Sequence, residues 1–304
     1  MKTTMPFQTD CPGTCRRGWA AFSLIEVIVV TGLLSVIILG LVLMFGQTQR
    51  AYKLGTTQVD VLEGGRMVTD MLTRDLQQTV PAGQPAWVNI VNFYVGLPNF
   101  TPLEQELPGS ANRRTNLMEE TFFLTKENQQ WTAVGYFVRT NDSFNALGFP
   151  AGSGGSLYRF ETNYSDAVFR QNPGWCWRDF NAALTNGNRA SRILEGVVHF
   201  TIRGFTPDGE WIATNRLPNI FMNFPASPVT LYPFGETPYL YFISNAVPAA
   251  VEIELGILEA REVERARSIT SPNARANFLA QQAGKTHLFR WRVPVRNVDP
   301  AVYQ

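Results

Sequence analysis

Residues 27–49 read VIVVTGLLSVIILGLVLMFGQTQ without a charged side chain, and positions 27–45 are mainly apolar. That stretch is close to the roughly 20 residues an α-helix needs to cross the core of a bilayer. It predicts a membrane anchor. A secretory signal peptide would have a shorter apolar run followed by a small-residue cleavage site, whereas here Arg50 and Lys53 follow directly. The run is therefore read as retained. Beyond it, in RAYKLGTTQVDVLEGGRMVTDMLTRDLQQTV, the pattern changes to a single apolar stripe: Val61, Val68, Leu72 and Leu76, with Met67 and Met71 beside them. Asp60, Arg66, Asp70, Arg74 and Asp75 supply polar faces. Spacings of three and four predict an amphipathic helix that packs on a globular domain. A continuous helix over 22–79 has 58 residues, roughly 87 Å at about 1.5 Å per residue. Gly55 and the pair Gly64 and Gly65 are places where it could bend or locally unwind.

After Val80 the period shortens. PAGQP at 81–85 marks a boundary, and VNIVNFYVG predicts a strand. Residues 98–118 read as a surface loop. TFFLTKENQQWTAVGYFVRTN predicts two strands around 127–130, and GSLYRFETN another, so 119–163 reads as an antiparallel meander. SRILEGVVHFTIRGF leads to a PDG turn with a return strand at 210–213. Residues 218–238 are Pro-rich and read as loop, followed by YLYFISN as a short element. In VPAAVEIELGILE, Val251, Ile253 and Leu255 share one face of a strand and Glu252 and Glu254 the other. Residues 260–284 suggest a charged helical insertion, and THLFRWRVPVRN a final strand. The economical arrangement is α+β, a long N-terminal transmembrane-to-periplasmic helix packed against a mainly antiparallel sheet.

Composition narrows the function classes. The 304 residues are 45% hydrophobic and 17% charged, with a formal net charge of +1. Nothing in that balance attracts a nucleic acid over long range. Cys11 and Cys15 have no nearby His or Cys partners to complete a tetrahedral metal site. If residues 1–21 are removed, Cys176 stands alone; it is read as a buried small hydrophobe between Trp175 and Trp177. Arg16 and Arg17 ahead of the apolar run favour a cytoplasmic start, with everything beyond residue 50 on the far side of the membrane.

The segment A21-F22-S23-L24-I25-E26-V27, behind a basic leader end and ahead of a charge-free run of spanning length, resembles the type IV pilin and pseudopilin superfamily. The resemblance implies cleavage by a prepilin peptidase between Ala21 and Phe22, N-methylation of Phe22, and a retained glutamate at Glu26. The family usually has Gly before the cut, so Ala21 departs from it. Physical reasoning supports a role for Glu26 beside the resemblance: a carboxylate near hydrocarbon is costly and seeks a partner. The amine newly exposed at Phe22 of a neighbouring, axially offset subunit would supply one and set the assembly register. Interfacial solvation of Glu26, or an ion pair without an assembly role, are the alternatives. LYRF at 157–160, ILEGVVHFTIRG at 193–204, VPAAVEIELGILE at 247–259 and THLFRWRVPVRN at 286–297 are, in that order, similar to the exported domain of minor pseudopilin J of type II secretion and to W-type minor pilins.

Three segments follow: a cleaved leader at 1–21, a pilin-type helix at 22–80 with its anchor at 27–45, and an exported β-rich domain at 81–304. The expected place is the bacterial inner membrane, single-pass, with the C-terminal domain periplasmic. The expected role is that of a minor pseudopilin near the pseudopilus tip, aiding initiation and cargo coupling. Expected partners are other pseudopilins, including minor tip components and the major pseudopilin, the prepilin peptidase and the inner-membrane assembly platform, with secreted cargo a further candidate. A minor pilin of a type IV pilus or DNA-uptake filament is the nearest alternative. An anchored periplasmic binding module or enzyme, marked by a concave polar pocket, is the other.

The sequence carries no recognisable catalytic or ligand-binding motif. His199 and His287 lie in separate strand candidates and read as structural. Asp75, Glu119 and Glu120 read as solvated acidic positions rather than a catalytic carboxylate pair. AGSGG lacks a Walker lysine, the arginines between 261 and 275 form no basic stripe, and Asp208 and Glu210 read as turn and strand-edge positions, not a calcium loop. No catalytic residue, cofactor, metal or nucleic acid is expected. GWCW at 174–177 and YLYF at 239–242 read as core or sheet cover, with a partner surface as the alternative.

Overall fold

The computed structural model describes residues 23–83, 90–97, 103–139, 154–212, 229–232, 239–243 and 245–303. The chain divides into two compact units, Met1–Leu54 and Gly55–Gln304. Helix α1 (Leu24–Gln77) begins in the first and ends in the second, 54 residues without interruption. The expected stripe is the packed one: Val61, Val68, Leu72 and Leu76 are buried in the main core, with Met71 packed against it. Gly64 and Gly65 do not break the helix. A Cβ on Gly64 would lie 2.9 Å from Leu194, and one on Gly65 only 2.3 Å from Phe289. The pair is small because the sheet's side chains press against the helix there, and the local unwinding considered for it does not occur.

The sheet unfolds in chain order from β1 (Val91–Gly96). The stretch read as a surface loop instead holds a hairpin, β2 (Leu103–Glu106) and β3 (Arg113–Asn116), a sheet of its own. Its strands alternate buried and exposed, with Leu103 and Gln105 inward; a four-residue strand offers too few periods to show in the sequence. β4 (Glu120–Glu127), β5 (Gln130–Arg139) and β6 (Gly155–Ser165) form the expected meander, β7 (Ala190–Phe205) continues it, and β8 (Val229–Tyr232), β9 (Tyr239–Ile243), β10 (Ala250–Leu258) and β11 (Thr286–Pro294) complete the sheet. The nine strands run in the order β11-β10-β7-β6-β5-β4-β1-β9-β8, and every pairing between them is antiparallel. β8 is strand where the Pro-rich stretch was read as loop. The expected return strand after the PDG turn is a single bridge, Phe205 to Trp211; Ala213 lies outside the described residues, as do Gln84 and Pro85 of PAGQP.

Both faces of the sheet are covered, which is why its central strands are nearly continuous in apolar residues. One face, carrying Phe93, Phe123, Val134, Tyr136, Val251, Ile253 and Leu255, meets the outer part of α1. The other is covered by two helices that the strand-based reading missed, α2 (Asp166–Gln171) and α3 (Trp175–Asn186). Their signal was present: Cys176, Phe180 and Ala183 recur at helical spacing and are the buried positions of α3. Gly187 then ends the helix with φ 71°, a left-handed conformation that costs glycine little. Phe180 sits over Gly135, where a Cβ would lie 2.3 Å away. Trp177 stacks edge-on against Tyr94 and Phe122 at 4.7 and 5.4 Å and reaches Tyr241 at 5.8 Å. Trp177 of GWCW and Tyr241 of YLYF therefore meet, half-buried, on this face, while Trp175 is exposed. The insertion forms α4 (Ala260–Ser268) and α5 (Pro272–Ala280), which with the β2–β3 hairpin enclose a small third cluster around Leu103, Val198, Leu258 and Leu279.

Candidate functional site

The first unit is dominated by apolar side chains with nothing around them. From Leu24 to Phe45 every large hydrophobic is exposed, from 51% at Val27 to 78% at Leu24. The helix is long and apolar enough to cross a membrane once. Its polar residues are matched to such a setting. Thr31 donates its hydroxyl proton to the carbonyls of Val27 and Ile28 at 2.9 and 3.0 Å, Ser35 to Thr31 at 2.8 Å, and Thr48 to Met44 at 2.9 Å. Each hydroxyl is satisfied within the helix, as a low-dielectric surround requires.

Glu26 is the sole ionisable residue between Leu24 and Gln49. It stands in the first helical turn, where the Ser23 carbonyl accepts the backbone N–H groups of Glu26 and Val27 at 3.0 and 3.2 Å. The exposed N–H groups of a helix start favour a negative charge at that position, and the carboxylate is exposed. Its setting is thus one apolar surface carrying one anion near its end. The expected processing residues, Ala21 and Phe22, lie outside the described residues.

The remaining candidates belong to the second unit and turn out differently from their reading as solvated charges. Asp75, on the last turns of α1, accepts the Tyr136 hydroxyl at 2.6 Å and Arg159 Nε at 2.8 Å, and Arg159 also bridges Glu161. Burial and the neighbouring Asp75 charge hold the Tyr136 phenol protonated. Glu119 accepts the Ile202 N–H at 2.5 Å, and burial pushes its carboxyl up to about 8 against the pull of that bond and of Arg203. Glu120 is buried with Arg139 at 3.7 Å and the Tyr94 hydroxyl at 3.1 Å; burial again raises its pKa. Arg139 in turn donates to the Leu184 carbonyl at 2.9 Å, closing the C-terminal end of α3. These three carboxylates are enclosed because strands remote in sequence cover them, a fact invisible to local patterning.

Both histidines are tied into the sheet. His199 Nδ1 accepts the Leu117 N–H at 3.1 Å, leaving the proton on Nε2, which lies 3.5 Å from Glu254. Burial lowers its pKa although Glu254 opposes this. His287 Nε2 lies 3.7 Å from Glu259. Cys176 is buried, and burial raises its thiol pKa to about 12, out of the nucleophilic range. Asp208 belongs to a turn in which the Thr206 N–H donates to the Glu210 carbonyl at 2.9 Å and the Glu210 N–H donates to the Thr206 hydroxyl at 3.1 Å. No cluster of three metal-ligating side chains occurs among the described residues. What the described residues do assemble is an apolar anchor helix followed by a sheet domain, an architecture generically consistent with pilin-like proteins. Comparison with known protein families, curated proteins and solved structures finds no match to this chain.

Proposed function

We propose that this protein is a minor pseudopilin of a type II secretion system, cut between Ala21 and Phe22, N-methylated at Phe22 and held in the inner membrane with its sheet domain in the periplasm. The observation that carries the reading is the exposed apolar surface of α1 between Leu24 and Gln49, with Glu26 as its single charge. A carboxylate at that depth is expensive unless paired, and the positive amine of a neighbouring Phe22 is the partner that cleavage would create. The protein then acts mechanically and catalyses no reaction. Glu26 sets the register between subunits, the sheet domain makes contacts with other minor subunits near the filament tip, and the peptidase, major pseudopilin and assembly platform are its partners, with cargo docking at the tip.

Mass measurement of the membrane-extracted chain tests processing: an N-methylated Phe22 terminus is expected, and an intact Met1 start would overturn it. Glu26→Ala tests the register role. Export of the folded domain should persist while crosslinking to filament partners falls by about tenfold or more; unchanged crosslinking would remove that role.

A further inference from the structure

The two edges of the nine-stranded sheet are not alike. β8 contributes four residues. β11 contributes nine, and pairs with β10 in unbroken register from Ala250 opposite Pro294 to Leu258 opposite Thr286. Among the described residues β11 has no second neighbour in the sheet. A long edge without a bulge leaves a row of backbone donors and acceptors able to pair with another strand, and such edges are commonly protected by bulges, prolines or brevity. β11 is neither short nor bulged, and carries its terminal Pro294 and the charges of Arg290 and Arg292.

The side chains beside this edge specify what would pair with it. On the face away from α1, cross-strand neighbours form rows through β7, β10 and β11: Arg203, Glu252, Arg292; then Thr201, Glu254, Arg290; then His199, Gly256, Leu288. The first row alternates in charge across all three strands, and each of the first two ends on an arginine facing a glutamate. Arg203 reaches Glu252 and Glu254 at 3.3 and 3.4 Å, and Arg290 reaches them at 2.8 and 3.3 Å. Arg292 lies 3.6 Å over the Phe205 ring, with no carboxylate in salt-bridge range among the described residues. Opposite charges on directly facing residues stabilise strand pairs, and like charges oppose them. The next position in each of the two arginine rows calls for an acid, and the position beside the exposed Leu288 for an apolar group.

We infer that the open edge of β11 is a docking site for an extended segment of another polypeptide, which adds as a tenth strand and places two acidic side chains, two residues apart, opposite Arg292 and Arg290. Main-chain pairing would supply affinity and the arginines direction and register. The inference is drawn from the sheet alone and is separable from the filament reading.

β10 already pairs with β11 from the other side, placing Glu252 opposite Arg292 and Glu254 opposite Arg290, with both glutamates bridged to Arg290, so a soluble peptide copying Ala250–Leu258 with Ser/Gly tails is a suitable probe. The full chain in detergent micelles is mixed with this peptide, or with one bearing lysines in place of its two glutamates. Binding is followed by anisotropy, and amide hydrogen exchange is followed along the protein. The acidic peptide should slow exchange across Thr286–Pro294 and bind about tenfold more tightly than the lysine peptide. Arg292→Gln, which leaves the Arg290 bridges in place, should reduce that preference. The Arg290→Glu, Arg292→Glu double variant, if folded, should invert it. Equal binding of the two peptides, or no added protection at β11, would overturn the inference. So would β11 amides already protected in a self-associated chain, which would make a second copy the occupant.

Discussion

At the scale of single residues, close approach and burial decide what each side chain does. Gly65 and Gly55 lie in the same helix, but a Cβ on Gly65 would meet Phe289 at 2.3 Å while one on Gly55 would meet nothing within 4 Å. Their alanine variants should therefore move stability in opposite directions. Gly55→Ala should stabilise by up to about 1 kcal/mol through helix propensity. Gly65→Ala should destabilise by about 1 kcal/mol net, since overpacking costs roughly 1–3 kcal/mol. Thermal unfolding of the two variants checks the sign. Glu119 carries a pH signature. Its folded pKa of about 8 lies above the ordinary 4.5, so the native state holds a proton that the unfolded state releases between those values. Its contribution is present below about 4.5 and is lost as pH rises toward 8. Arg203 and Glu254 also act on this carboxyl, so the comparison of wild type with Glu119→Gln isolates it. The variant should lose stability less steeply across that interval, measured by denaturant midpoints at several pH values.

At the scale of elements, the question is what holds the end of α1 to the sheet. Leu72 and Leu76 bury their side chains in the core, while Asp75 reaches Tyr136 on β5 and Arg159 on β6. Apolar burial provides most of the attraction and tolerates small slips; a carboxylate shared by a phenol and a guanidinium fixes one position along the helix. Asp75→Asn should cost roughly 1.5–3 kcal/mol, the range for hydrogen bonds to charged groups. Amide exchange should accelerate first in the last turns of α1. The end of the helix is also secured by Val80 donating to the Leu124 carbonyl at 2.9 Å and Asn297 donating to Thr79 at 3.1 Å, so the remaining helix should stay formed. Loss of exchange protection throughout the sheet would show that Asp75 supports more than this junction.

At the scale of the whole molecule, the chain has two units with opposite solvent requirements. Gly55–Gln304 contains the three buried clusters, whereas the apolar side chains of the first unit are exposed. A fragment of Gly55–Gln304 should be soluble and unfold cooperatively without detergent, and the full chain should float with liposomes; flotation with and without residues 1–54 checks both. The anchor, the amphipathic stripe at Val61, Val68, Leu72 and Leu76, and the alternation of β10 were legible in the sequence, because each is a local period imposed by one helix or strand against one surface. The helix α3 was legible too, through Cys176, Phe180 and Ala183, although its aromatic residues were read only as core or sheet cover without an element assigned to them. The purpose of Gly64 and Gly65, the enclosure of Asp75, Glu119 and Glu120, and the open edge at β11 were settled only by tertiary structure. Each depends on which distant strand arrives as a neighbour, and that pairing is a property of the whole sheet rather than of any window along the chain.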